Sequence, residues 1–145
     1  MKIVLTDGWT KEQAEHYRED VFGAFGKLVE ERPLDLTVPF LVWTVCRDGE
    51  RNNLWLVLDD DDRFLSFFMT RIETCDATQV RSVKVLNMAG EGGRASVEAI
   101  AEAVTPWAKE RGATQAYIEG RDGWWPALKA NGFTRDAVQY RKELA

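Results

Sequence analysis

At 145 residues, with 45% hydrophobic and 30% charged positions, the chain has the length and balance of one globular domain with a core of its own. A net charge of −5 works against a broad electrostatic grip on nucleic acid, and no apolar run is long enough to span a bilayer. Cys46 and Cys75 form neither a CxxC pair nor a disulfide framework, and His16 is the only histidine, so metal sites and histidine-based triads fit poorly.

Taken in order, Met1 to Leu5 is β-prone and Thr6-Asp7-Gly8 is a turn. No signal-like segment is visible there, and a reducing, cytoplasmic location is expected. Thr10 followed by Gln13 makes a capping box, and Ala14, Tyr17, Val21, Phe25, Leu28 and Val29 recur at helical spacing, predicting an amphipathic helix over about 10–30. Val38 to Cys46 is ambiguous. Its β-branched content favours a strand, while Thr37 and Pro39 could open a short helix. Arg47 to Asn53 reads as a polar turn, Leu54 to Leu58 as a strand, Asp59 to Asp62 as a solvated hairpin loop, and Arg63 to Glu73 as the next strand.

The most informative stretch follows the turn at Cys75 to Gln79. Val80 to Met88 is an apolar strand, Ala89-Gly90-Glu91-Gly92-Gly93 a glycine-rich turn, and Val97, Ile100, Ala101, Val104, Trp107 and Ala108 one face of a helix that contains Pro106. Strand, glycine turn, helix start is a geometry that holds phosphate groups. The first N–H groups of a helix lack internal partners, the helix dipole adds positive charge, and glycines let an anion approach closely. An isolated Gly-x-Gly is more often a mere strand terminator. Ala113 to Glu119 then reads as a strand, Asp122 to Asn131 as a short helix and Phe133 to Leu144 as a final strand. The order implies one α/β domain over 1–145: a mixed central sheet with helices on both faces and the glycine turn at a strand's C-terminal end. Trp9, Trp43, Trp55 and Trp107 fall on apolar faces and are expected in the core. Trp124 and Trp125 are adjacent and cannot share one helix face, which suits a protein contact.

The ordered set Asn87-Met88-Ala89-Gly90-Glu91-Gly92, Gly132-Phe133 and Tyr140-Arg141-Lys142-Glu143-Leu144 resembles the GNAT superfamily of acetyl-CoA-dependent N-acetyltransferases. The resemblance covers 54–144 well and the first helix loosely, and it would make Val38–Cys46 a helix. It implies acetyl-CoA between the fourth and fifth strands. Leu86, Asn87 and Met88 would bond the pantetheine arm, and the amides of Gly90, Glu91, Gly92, Gly93 and Arg94 would hold the pyrophosphate. A tyrosine that often serves such enzymes as the acid for the departing thiolate is replaced by Leu128, and a frequent asparagine by Arg121. Glu119 as a base and Tyr140 as a phenol are then the catalytic candidates, with Glu73 a weaker one; Glu119 could equally be paired with Arg121 or exposed. The expected substrate is a small-molecule or protein amine, with no nucleic acid and no membrane. The chain also resembles short, degenerate GNAT-like proteins of tailed bacteriophages. That resemblance implies an alternative: a silent, virion-associated assembly protein whose partner binds Trp124 and Trp125.

Overall fold

The computed structural model describes residues 1–46, 52–120 and 122–144. Its frame is a five-stranded sheet in chain order: β1 (Lys2–Leu5), β2 (Asn53–Leu58), β3 (Phe64–Thr74), β4 (Arg81–Gly90) and β5 (Gln115–Ile118). The first three pairings are antiparallel and β4–β5 is parallel, as a crossover helix between those strands requires. α1 (Lys11–Glu31) and α2 (Val38–Cys46) cover one face; α3 (Val97–Glu110), their connection from β4 to β5, covers the other, and α4 (Trp125–Ala130) follows β5. The expected mixed sheet with helices on both faces is therefore present.

Strand alternation explains the two layers. Phe67 and Met69 point to the α1/α2 face, where they meet Phe25, Leu28 and Leu41; the rings of Phe25 and Phe67 lie edge-on at 4.7 Å. Trp55, Phe68 and Val83 point the other way, onto Ile100, Val104 and Trp107 of α3. α1 begins as its capping box predicts: Thr10 Oγ1 accepts from the Gln13 amide at 3.2 Å, and Gln13 Oε1 from the Thr10 amide at 2.9 Å. The carboxylate run is a turn closed by Asp59, whose Oδ1 accepts from the amides of Asp61 and Arg63.

One reading left open is now decided, and two expectations need correction. Val38–Cys46 is a helix, against its strand propensity: Thr37 Oγ1 accepts from the Phe40 amide at 3.3 Å, Pro39 sits in the first turn where no donor is needed, and burial of Leu41 and Thr44 outweighs a small local preference. Trp43 is not core but 42% exposed on that helix. Phe133–Leu144 forms no strand. It is held by Phe133 N–H to Leu128 O, by Arg135 over the Trp125 ring, and by Arg141 on Asp35 at 2.9 Å. Val138, Tyr140 and Leu144 stay exposed there, so ordering this segment into a ladder would bury little apolar surface. The expected turn at Arg47 to Asn53 lies mostly outside the described residues, as does Arg121.

Candidate functional site

The sheet splits between β4 and β5. Pairing runs from Ser82↔Gln115 to Val85↔Ile118, with one further bond from the Glu119 amide to Val85 O at 3.3 Å. β4 then continues through Leu86–Gly90 without a β5 partner. The cause is local. The β3–β4 register jumps from Met69↔Leu86 to Phe67↔Ala89, so Asn87 and Met88 together oppose Phe68. Asn87 has φ +54°, a left-handed conformation that asparagine tolerates better than most residues. Such a bulge bends its strand and re-aims the backbone, leaving the outer edge of Leu86, Asn87 and Met88 without a strand partner.

The glycine turn follows directly, and its glycines have different tasks. At Gly90 (φ +126°) a Cβ would stand 2.6 Å from Ser66 Cα and collide with the Leu65 carbonyl, so this glycine lets β3 and β4 close upon each other. Gly92 (φ +71°) faces open space. The Glu91 amide donates to Leu65 O at 2.8 Å, so it is spent on the fold and is not available to an anion, contrary to expectation. The amides of Gly92, Gly93 and Arg94 find no backbone acceptor among the described residues. They lie at and just before the 3-10 turn Arg94–Ser96 that leads into α3, where the helix dipole is positive.

Trp124 closes one side of this region. A Cβ on Gly93 would lie 2.8 Å from Trp124 Cζ2 and one on Gly120 3.4 Å from Trp124 Cε3, so the indole bridges the glycine turn and the end of β5. Arg94 Nη1 adds a 3.4 Å contact to Gly123 O. Both Trp124 and Trp125 are half-buried.

On the α1/α2 face the split is flanked by charge. Arg71, Lys84 and Tyr117 occupy one row across β3, β4 and β5, because Arg71 pairs with Lys84 and Lys84 with Tyr117. Glu119 lies at the crotch of the split, and its Oε1 accepts from Lys84 Nζ at 3.0 Å, so its partner there is Lys84. Glu73 is held 3.4 Å from Arg71 Nη1, and Arg71 Nε donates to Asn52 Oδ1 at 3.1 Å. Tyr140 is 88% exposed in a segment without secondary structure, and nothing brings it to the split. Tyr117 is the phenol that sequence reasoning missed. The alternation Gln115, Tyr117, Glu119 along β5 is the signal that could have found it.

A recess of about 580 Å³ touches Gly90 and Glu91 from the α1 side. Its charged lining is Glu19, Asp20, Asp59 and Glu91 against Lys27 and Arg63, the wrong balance for a diphosphate. The α3 side of the turn has the right donors.

No protein-family model matches the chain, and no curated protein resembles it in sequence. Solved structures do resemble it. A ribosomal-protein-alanine N-acetyltransferase from Brucella melitensis biovar Abortus superposes with TM-score 0.65 at 11% identity, over 99% of this chain and 100% of that one. Glucosamine-6-phosphate N-acetyltransferase from Arabidopsis thaliana gives 0.66 at 10% identity over the whole of both chains. A GNAT family acetyltransferase from Staphylococcus aureus gives 0.62 at 9% identity, over 99% of this chain and 100% of that one. The chain thus has the GNAT acetyltransferase fold.

Proposed function

With that fold as premise, we propose that the chain is a cytoplasmic N-acetyltransferase that moves the acetyl group of acetyl-CoA to a primary amine. The observation that carries the reading is the coincidence of three features: a β4 edge at Leu86, Asn87 and Met88 without a strand partner, amides of Gly92, Gly93 and Arg94 without backbone acceptors among the described residues, and a carboxylate, Glu119, at the crotch between them. A diphosphate would meet the Gly92, Gly93 and Arg94 amides at the start of α3, with the Arg94 guanidinium adding charge. Gly90 supports that turn through the fold rather than by contact. The β4 edge would take the amide groups of an extended arm as a further strand does.

Acetyl-CoA, when bound, supplies the activated acyl group. This chain's own residues would position the amine and manage its proton. Glu119, directly or through one water, would accept a proton from the incoming ammonium, because only the neutral amine is a nucleophile. A thiolate is a stable enough anion to depart unprotonated and take its proton from water, so neither Leu128 nor the exposed Tyr140 need act as an acid.

The bridging indole of Trp124 favours a second reading, in which the indole keeps the site shut and the chain is a catalytically silent assembly protein, virion-associated as the reading of its motifs implied, with Trp124 and Trp125 meeting a protein partner. Titration calorimetry with acetyl-CoA decides between them. Saturable binding that is lost in Gly92→Asp supports the enzyme. No heat at millimolar acetyl-CoA, together with partner binding lost on Trp125→Ala, supports the silent protein.

A further inference from the structure

We infer that the α1/α2 face beside the split is the acceptor seat, and that it selects amines carrying one anionic group: small aminocarboxylates or aminophosphates. The inference rests on the transferase reading and names its substrate class. At the split β4 and β5 cease to pair, with α3 on one face of the sheet and the row Arg71–Lys84–Tyr117 on the other. An amine reaching a thioester at the split from this second face meets Glu119 first, at the crotch. One row further from the opening it meets Lys84 and Arg71, side by side on paired strands.

The charges are arranged as a template for a zwitterion. Glu119 and Lys84 are 3.0 Å apart and partly exposed, with side-chain exposures of 50% and 32%. A pair this exposed to solvent holds its partners weakly. An incoming molecule with both charges can therefore separate the two, placing its ammonium on Glu119 and its anion on Lys84, and leave no charge without a counter-charge. A diamine would satisfy Glu119 but set its second cation against Lys84 and Arg71. An uncharged amine would gain nothing from the cations. Arg71 is fixed for the task from behind, by Asn52, which is 3% exposed, while Tyr117 closes the row with a hydroxyl. Glu73 keeps Arg71 from being a lone positive charge and stands furthest from the opening.

The test has two independent arms. In the first, backbone amide NMR shifts are followed while the full chain is titrated with β-alanine, phosphoethanolamine, putrescine and methylamine, without and with saturating CoA. The expected result is shifts at Lys84, Tyr117 and Glu119 with the two anionic amines, at least tenfold tighter than with putrescine or methylamine. Equal or tighter putrescine binding overturns the inference. CoA failing to bind while anionic amines still do overturns the transferase reading and leaves the seat standing. In the second arm, thiol release from acetyl-CoA is measured for Lys84→Gln and Lys84→Glu. The first is expected to raise KM for anionic amines at least tenfold with little change in kcat, and the second to turn the preference toward putrescine. Unchanged preference in Lys84→Glu overturns the inference even if both variants stay folded and active. β-Alanine and phosphoethanolamine, compared with each other, show which anion the seat prefers.

Discussion

The two flanks of the sheet obey different rules. At β1–β2–β3 the strands pair almost throughout, with one irregularity at Leu65, and both faces are covered by apolar side chains: Leu56, Phe67 and Met69 toward α1 and α2, Val57 and Phe68 toward α3. At β4–β5 the pairing stops after Val85 and Ile118, left-handed backbone gathers at Asn87, Gly90 and Gly92, and the row of side chains on one face is charged. Close packing and continuous hydrogen bonding fix a structure but leave nothing for a ligand to do. The open flank forgoes both and keeps donors, an edge and charges in hand. The first flank supplies the stability on which the second draws.

Substitutions on the two flanks should separate accordingly. Phe67→Ala, at a fully buried ring stacked edge-on with Phe25, is expected to cost about 3–5 kcal/mol, read as a fall in the urea midpoint. If it cost under about 1 kcal/mol, the closed flank would not be the stabilising one. Gly90→Ala lies on the boundary, where a new Cβ would press on the Leu65 carbonyl and on Cα and Cβ of Ser66. A loss of about 2–3 kcal/mol in thermal unfolding is expected, along with any ligand binding. Gly92→Asp belongs wholly to the open flank. Its Cβ meets nothing, aspartate tolerates the left-handed region, and the fold should melt within a few degrees of the parent. Acetyl-CoA affinity should nonetheless fall at least a hundredfold, about 2.7 kcal/mol, by calorimetry. Trp124→Ala removes the half-buried bridge; stopped-flow mixing should show acetyl-CoA entering severalfold faster, for about 1–2 kcal/mol of stability. Slower entry would mean that the indole guides the ligand rather than blocks it. Arg141→Ala, removing an exposed pair with Asp35, should change stability by no more than about 1 kcal/mol.

The closed flank and the glycine turn were legible in the sequence because their signals are local. Thr10 and Gln13 define a helix start within four positions, and an apolar strand running into three glycines and a helix announces its own geometry. What escaped depended on distant partners. Val38–Cys46 is helical because Leu41 and Thr44 find a core that propensity cannot see. The Glu91 amide is claimed by Leu65, twenty-six positions earlier, and Lys84 pairs with Glu119 because β4 and β5 lie side by side. Tyr117 drew no notice because a phenol in a short strand reads as packing until the register sets it beside Lys84. The Phe133–Leu144 segment has strand-like residues but no ladder to join.

The split between β4 and β5 would also have a kinetic consequence on the proposed reading. Donor and acceptor would approach from opposite faces of the sheet, so neither would have to leave before the other arrives. Among the described residues no serine or cysteine stands at the crotch to carry the acyl group in the interval, and Lys84, ion-paired there with Glu119, would be acylated to a stable amide rather than act as a relay. For the proposed reaction, both reactants must be present together at the moment of transfer. Double-reciprocal plots at several fixed acceptor concentrations should then intersect, whereas parallel lines would mean a covalent relay through a residue that the split does not offer.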